Sequence, residues 1–142
     1  MKDHIALKVI TPEGIAYESS VVSVTLPTTS GEITLLSRHQ PIITTIRAGE
    51  LRIVDDSGAV EPFFVTNGVA NMHKDNSLVI LIDHLETAHA IDVDHAQMAY
   101  ERARQLREEA IHVQDVDFAR FEAMIDRELG RVTVGRKYRR HL

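Results

Sequence analysis

Hydrophobic positions along this chain follow two periods, and the change from one to the other falls near Asp83. Before it, apolar residues alternate. Ile5, Leu7 and Val9 share one side of an extended run, with Ala6, Lys8 and Ile10 between them. A period of two marks a strand with one buried face. The same alternation sets Val24 and Leu26 against Ser23 and Thr25, Ile33 and Leu35 against Glu32 and Thr34, and Leu51 and Ile53 against Arg52 and Val54. Thr11-Pro12-Glu13-Gly14, the polar stretch Pro27 to Ser30, Asp55-Asp56-Ser57-Gly58, Asn67-Gly68 and Lys74 to Ser77 punctuate these runs with turn-forming residues. Leu78 to Ile82 is apolar without a break and predicts a strand buried on both faces in the middle of the structure. Short strands at about 8–12-residue spacing predict a β-sandwich or barrel.

After Asp83 the period lengthens. His84 to Ala90 reads as a linker, and Asp92 as an N-cap whose carboxylate accepts from free N–H groups of a first helical turn. Ala96, Ala99, Ala103, Leu106 and Ala110 then recur every three or four residues, a narrow stripe on one helix face. His112-Val113-Gln114 reads as a connection and Asp115 or Asp117 as the next cap. Phe118, Phe121, Ile125, Leu129 and Val132 form the apolar face of a second helix, with Gly130 as a stop signal inside it. A short loop between two amphipathic helices implies an antiparallel pair. The predicted fold is therefore α+β in two parts. An N-terminal all-β sandwich (residues 1–86) precedes a C-terminal antiparallel two-helix hairpin (residues 87–142) with a basic tail, Arg136 to His141. At about 25 cal/mol per Å2 of apolar area, an alanine seam stabilises little beside a sandwich core. The hairpin is expected to depend on docking and to be able to undock.

Composition narrows the function. The chain has 142 residues and a net charge of −5. Six basic residues face eleven acidic ones up to residue 90, and ten face ten beyond it. Nucleic-acid binders usually carry a net basic domain, so that class is set aside. No apolar run approaches the ~20 residues of a membrane helix, and Met1-Lys2-Asp3-His4 carries no secretory pattern. Cysteine is absent, which removes disulfide and thiol chemistry. Of the eight histidines, His84, His89 and His95 crowd together, but without metal-ligand spacing. There is no nucleophile elbow, phosphate loop or dinucleotide fingerprint. These features point to a non-catalytic interaction subunit. The alternatives are a stand-alone β-sandwich binding module with a helical dimerisation hairpin, and a small hydrolase with an unrecognised site.

One ordered string carries a family resemblance. Val9-Ile10-Thr11-Pro12-Glu13-Gly14, Val21 to Pro27, Gly31-Glu32, His39 with Pro41-Ile42-Ile43-Thr44, Arg47 with Gly49, and Phe64-Val65 with Gly68-Val69 follow one another. Leu78 to Ile82 and Ile91-Asp92 complete the series. In this order and over nearly the whole chain, it resembles the ε subunit of the F-type ATP synthase. The sequence departs from the family's pattern in three places. Ser37-Arg38 stands where the family often has Pro-Gly, Thr34 where it often has Gly, and only one glycine of a common pair is kept at Asn67-Gly68-Val69.

The resemblance implies a rotor subunit of the central stalk, on the cytoplasmic face of a bacterial plasma membrane and peripheral to it. Its implied partners are the γ subunit, the c-ring and, through the helices, the α/β catalytic head. It implies coupling of ring rotation to ATP synthesis and inhibition of ATP hydrolysis by the hairpin. It implies a ring-facing loop with Glu32, Arg38 and His39; for the inhibitory contacts, Arg120, Arg127, Arg136, Arg139 and Arg140 are the expected cations for acidic surfaces of the head. Some family members bind ATP through an Ile/Leu-Asp-x-x-Arg-Ala motif. Here Ile91, Asp92 and Ala96 match it, but His95 replaces the arginine, whose planar charged fork suits phosphate. Weak or no ATP binding is expected, and no cofactor.

Overall fold

The computed structural model describes residues 3–111, 113 and 117–139, and the chain divides into two units, residues 1–87 and 88–142. Among the described residues, the first unit holds ten strands: β1 (Ile5–Thr11), β2 (Gly14–Val21), β3 (Ser23–Thr28), β4 (Gly31–Leu36), β5 (Ile42–Ile46), β6 (Gly49–Val54), β7 (Val60–Val65), β8 (Gly68–Met72), β9 (Ser77–Ile82) and β10 (Leu85–Thr87). They form two layers. One runs β5-β8-β9-β1-β2 and the other β4-β3-β6-β7-β10. A single pair, Thr28 with Ile46, joins them. Of these strands only β1 and β9 pair in parallel. The inner faces meet in one core: Ile5, Leu7, Val9, Met72, Leu78 and Ile80 from the first layer, and Val24, Leu26, Leu35, Leu51, Ile53 and Phe63 from the second, all buried.

Turn chemistry fixes the hairpins. The Asp55 carboxylate accepts from the backbone N–H of Ser57 (2.9 Å) and Ala59 (3.0 Å), closing β6 onto β7. Asp75 does the same for Ser77 before β9. A hydroxyl closes the short β3–β4 turn, where Thr28 Oγ1 donates to the Gly31 carbonyl at 2.5 Å. Pro62 lies inside β7, opposite Arg52 of β6. The β10 ladder stops at Phe63, so the missing N–H falls where β7 is itself the edge.

Several expectations need correction. β3 runs on through Pro27 and Thr28, pairing with Glu32 and Gly31, so the loop shrinks to two residues. β9 is interior to its layer, but it buries only one face: Leu78, Ile80 and Ile82 point inward while Leu81 is 50% exposed. A continuous apolar run here marks one core face and one exposed apolar face. Asn67-Gly68 is no hairpin turn. β7 and β8 lie in different layers, and Asn67 accepts the Ala48 N–H at 2.8 Å across that corner. The stretch expected to be a linker contains β10 and a 3-10 turn, Ala88–Ala90.

The second unit holds α1 (Val93–Ala110) and α2 (Phe118–Lys137). Asp92 caps α1 as expected, accepting from the His95 N–H at 3.0 Å. Asp117 occupies the N-cap of α2 without a side-chain cap bond, and Asp115 falls outside the described residues. Ala96, Ala103 and Ala110 are buried, seven residues apart. On α2 the buried residues are Ile125, Val132, Val134 and Gly135, whereas Phe118 and Leu129 are exposed. A seam that steps three then four residues reaches Glu128 after Ile125, not Leu129. Glu128 is accordingly mostly covered, and Arg131 neutralises it at 3.0 Å. Gly130 does not stop the helix, which continues to Lys137.

Candidate protein-interaction surfaces

The register of the first layer builds an unusual outer face. Val69 pairs with Leu81, Leu81 with Ile10, and Ile10 with Ile15. Four strands thereby align one apolar row on the side away from the core. Leu81, Val69 and Ile15 are 50%, 40% and 56% exposed. Ile43 (72% exposed) and half-buried Val79 flank it in the next row. A shallow groove lined by Ile10, Pro12, Gly68 and Asp83 continues the row at the strand ends. Sequence reasoning misses this surface. Its signal is the absence of polar alternation in Leu78 to Ile82, which period alone reads as double burial.

The three residues expected on one loop do not share an end of the sandwich. Glu32 starts β4 beside the β3–β4 turn, while Arg38 and His39 follow its far end. About 13 Å of extended strand separates those positions. Glu32 is also engaged: Arg52 grips it through both guanidinium nitrogens, at 2.6 and 3.3 Å, and reaches Glu50 at 3.4 Å. Arg38 has φ +66°, the left-handed region. A glycine at this position would adopt that region without strain. Arg38 tolerates the strain because its N–H donates to Asn76 Oδ1 (2.6 Å) and its guanidinium pairs with Asp3 (3.0 Å). The His39 ring nitrogen Nδ1 donates to the Gln40 carbonyl at 2.8 Å. The Thr34 hydroxyl lies 2.9 Å from that of Thr25 on the facing strand.

The helical residues are placed as follows. Ile91 and Ala96 are buried and His95 is exposed. The Asp92 carboxylate is occupied as the cap of α1. Asp94 pairs with Arg139 at 3.3 Å, and Arg136 donates to Gln97 at 3.1 Å. Arg120 and Arg127 are exposed on α2, and Arg140 lies outside the described residues. His84 faces Glu86 at 3.4 Å, and the His89 Nδ1–H donates to the Tyr138 carbonyl at 3.1 Å, so the crowded histidines point to different partners. Among the described residues no three potential ligands gather as a metal site, and no helix is long and apolar enough to cross a membrane.

A β-sandwich with an exposed apolar face, followed by a two-helix hairpin, defines a class: a two-part protein whose sandwich offers an apolar surface for contact. Residues 4–88 match the family described as ATP synthase, Delta/Epsilon chain, beta-sandwich domain. An ATP synthase epsilon chain of Clostridium kluyveri is 33% identical over 94% of this chain and 98% of its own length. One of Ligilactobacillus salivarius is 29% identical over 95% and 97%. The fold is shared with a chain in the Euglena gracilis mitochondrial ATP synthase, in a structure of its OSCP/F1/c-ring (TM-score 0.76, 17% identity, 89% of this chain and 78% of that one). It is shared also with a chain from the central stalk and c-ring of the Tetrahymena thermophila enzyme (TM-score 0.59, 18% identity, 96% of each). The chain belongs to the family of ATP synthase epsilon chains, whose members are non-catalytic subunits of that complex.

Proposed function

We propose that this chain is a central-stalk rotor subunit that couples c-ring rotation to ATP synthesis and restrains ATP hydrolysis through its helical hairpin. The observation that carries the reading is the apolar row Val69, Leu81, Ile10 and Ile15 on a sheet face turned away from the core. A contiguous apolar patch of this kind marks an interaction site. Its occupant is the γ subunit, and the peripheral position on the cytoplasmic face follows from that attachment. The polar strand ends then meet other partners. Glu32 and the Arg38–His39 loop, lying at opposite ends, serve different ones, with the Glu32 end toward the ring. Arg120, Arg127, Arg136 and Arg139 supply cations for acidic surfaces of the head. ATP binds weakly or not at all, because Asp92 is occupied as a cap, Asp94 is paired with Arg139, and His95 lacks the charged fork.

Leu81→Glu and Val69→Lys are surface changes that leave the core untouched. Each should abolish recovery of a γ subunit with the tagged chain from membranes while the circular dichroism of the purified chain stays unchanged. Undiminished recovery would refute the docking face. Truncation after Ala90 keeps β10 and should raise hydrolysis by the assembled complex; unaltered hydrolysis would refute the restraint.

A further inference from the structure

The chain changes layers between β5 and β6, between β7 and β8, and between β9 and β10. Two neighbouring side chains tie these corners together. Thr66 Oγ1 accepts the His84 N–H at 3.0 Å, and the Thr66 N–H donates to the His84 carbonyl at 3.3 Å. Asn67 Oδ1 accepts the Ala48 N–H at 2.8 Å. Asn67 is also followed by Gly68, and its surroundings differ from those of the other two asparagines, Asn71 and Asn76. It is exposed to water. The Ala48 N–H draws electron density from its Cγ and is placed to stabilise negative charge developing on Oδ1. Among the described residues nothing holds its Nδ2. Gly68 has no side chain to shield its nitrogen, and as the first residue of β8 it is freed by fraying of one strand end. Asn76 is the opposite case. Its Oδ1 accepts the Arg38 N–H at 2.6 Å and its Nδ2 donates to Ser37 Oγ at 2.9 Å, so both ends of the amide are held. Asn71 lies inside β8 and precedes the buried Met72.

We propose that Asn67 is a site of spontaneous deamidation. With the start of β8 frayed, the Gly68 nitrogen gives its proton to hydroxide and attacks Asn67 Cγ. The N–Cγ bond forms, the Cγ–Nδ2 bond breaks, and the side-chain nitrogen takes up a proton and leaves as ammonia. Water then opens the succinimide at either carbonyl, leaving aspartate or isoaspartate; no oxidant or reductant takes part. The two products differ in consequence. Aspartate keeps an acceptor for the Ala48 N–H. Isoaspartate routes the chain through the side chain and adds a methylene to the backbone just ahead of Gly68. The fold has no slack there: a Cβ on Gly68 would already collide with the Leu81 carbonyl oxygen and an Ile82 methyl. The isoaspartyl form therefore shifts the start of β8 and takes Val69 out of line with Leu81 in the apolar row. Any effect on subunit attachment rests on the docking face proposed above; the modification itself is a property of the isolated chain.

The test ages the purified, folded full chain in mildly alkaline buffer and follows it by peptide mass spectrometry, with isoaspartate counted by an isoaspartyl methyltransferase. Fragment ions should place the mass gain of amide to acid at Asn67, several-fold ahead of Asn71 and Asn76. Asn67→Gln keeps an amide but closes its larger ring slowly, and should stay unmodified over the same period. The isoaspartyl fraction should melt at a lower temperature in the β signal than the fresh chain and than Asn67→Asp. If Asn67 stays intact in the folded chain while the urea-unfolded chain reacts, the proposal is overturned. Asn76 reacting equally fast overturns it too, because the held and free amides would then be equivalent. An isoaspartyl fraction that melts together with Asn67→Asp overturns the strand shift. If that fraction melts early and still recovers a γ subunit from membranes, the modification stands and the docking face is refuted instead.

Discussion

The sandwich and the hairpin are held by contacts that differ in kind and in redundancy. In the sandwich, every interior strand is laddered on both sides, and the large apolar side chains of both layers share one core. Removing one contact leaves the others in register. In the hairpin each helix satisfies its own backbone; α1 buries Ala96, Ala103 and Ala110, and α2 buries Ile125 and Val132. The buried α1 side chains other than Val93 are all alanines, so few large side chains meet across the pair. The first unit is thus held redundantly. The second rests on fewer large side chains. The contrast predicts where substitutions act globally and where they act only on the hairpin.

The largest effect is expected at Gly68. Its φ is unremarkable, but a Cβ there would lie 2.0 Å from the Leu81 carbonyl oxygen on the facing strand. Backbone cannot yield as a side chain can. Gly68→Ala should therefore cost about 3 kcal/mol or more, read as a lower denaturant midpoint of the β transition. A loss below about 1 kcal/mol would show that β8 and β9 separate easily and that the sandwich is less rigid than its ladders imply.

Core truncation separates the two units. Leu35→Ala empties a fully buried position and should cost about 2–5 kcal/mol. Ile125→Ala sits in a seam with little around it to collapse, and should cost nearer about 2 kcal/mol. The second loss should appear in the helical signal alone. If Ile125→Ala lowered both transitions together, the units would melt as one and the contrast would fail.

Much of the fold is legible in the sequence because local chemistry and period agree. Alternation need not be complete in every strand: Ile5, Leu7 and Val9, or Leu51 and Ile53, are enough to set inward faces. Asp92 is readable as a cap because its bond is to the next turn of its own helix. What escapes depends on residues far apart in the chain. Leu81 reads as core until β9 is seen with one face outward. Glu32 and His39 read as one loop until β4 is laid between them, and Arg52 is invisible as the partner of Glu32 at a separation of 20 residues. Periodicity places the α2 seam one residue off, at Leu129, because steps of three and of four both keep to one helix face, and the step taken after Ile125 leads to Glu128, a charged residue that a hydrophobic pattern passes over.

A smaller effect, of opposite sign, belongs to Arg38. A side chain in the left-handed region costs about 1–2 kcal/mol, and glycine gives back part of that through its greater freedom when unfolded. Arg38→Gly should therefore stabilise the sandwich by about 1 kcal/mol or less, even though it removes the pair with Asp3. Thermal unfolding at high salt, where that exposed pair is screened, gives the cleaner reading. Destabilisation under those conditions would mean that the loop conformation depends on the arginine stem.

The smallest effect is a response to acid carried by the turns of the sandwich. Hydrogen bonds from the Ser57 hydroxyl and the backbone of the β6–β7 loop hold the Asp55 carboxyl below its ordinary value of 3.8. The Ser77 hydroxyl and N–H do the same for Asp75 before β9. Around and below 3.8 the unfolded chain therefore binds more protons at these positions than the folded one, so stability rises with pH in that window. The contribution is complete above the ordinary value and is lost as pH falls through the lowered one. Both groups are fully exposed, so the effect is modest. Asp55→Asn with Asp75→Asn keeps an acceptor oxygen in each turn and removes the ionisation. At about pH 6, well above the ordinary carboxylate range, the double variant should melt slightly below the parent in the β signal. The gap should close as pH is lowered from about 4 toward about 2, because protonation deprives the parent of the same charged acceptors. Melting curves that stay parallel over that range would show that these carboxylates shape the turns without contributing to their acid response.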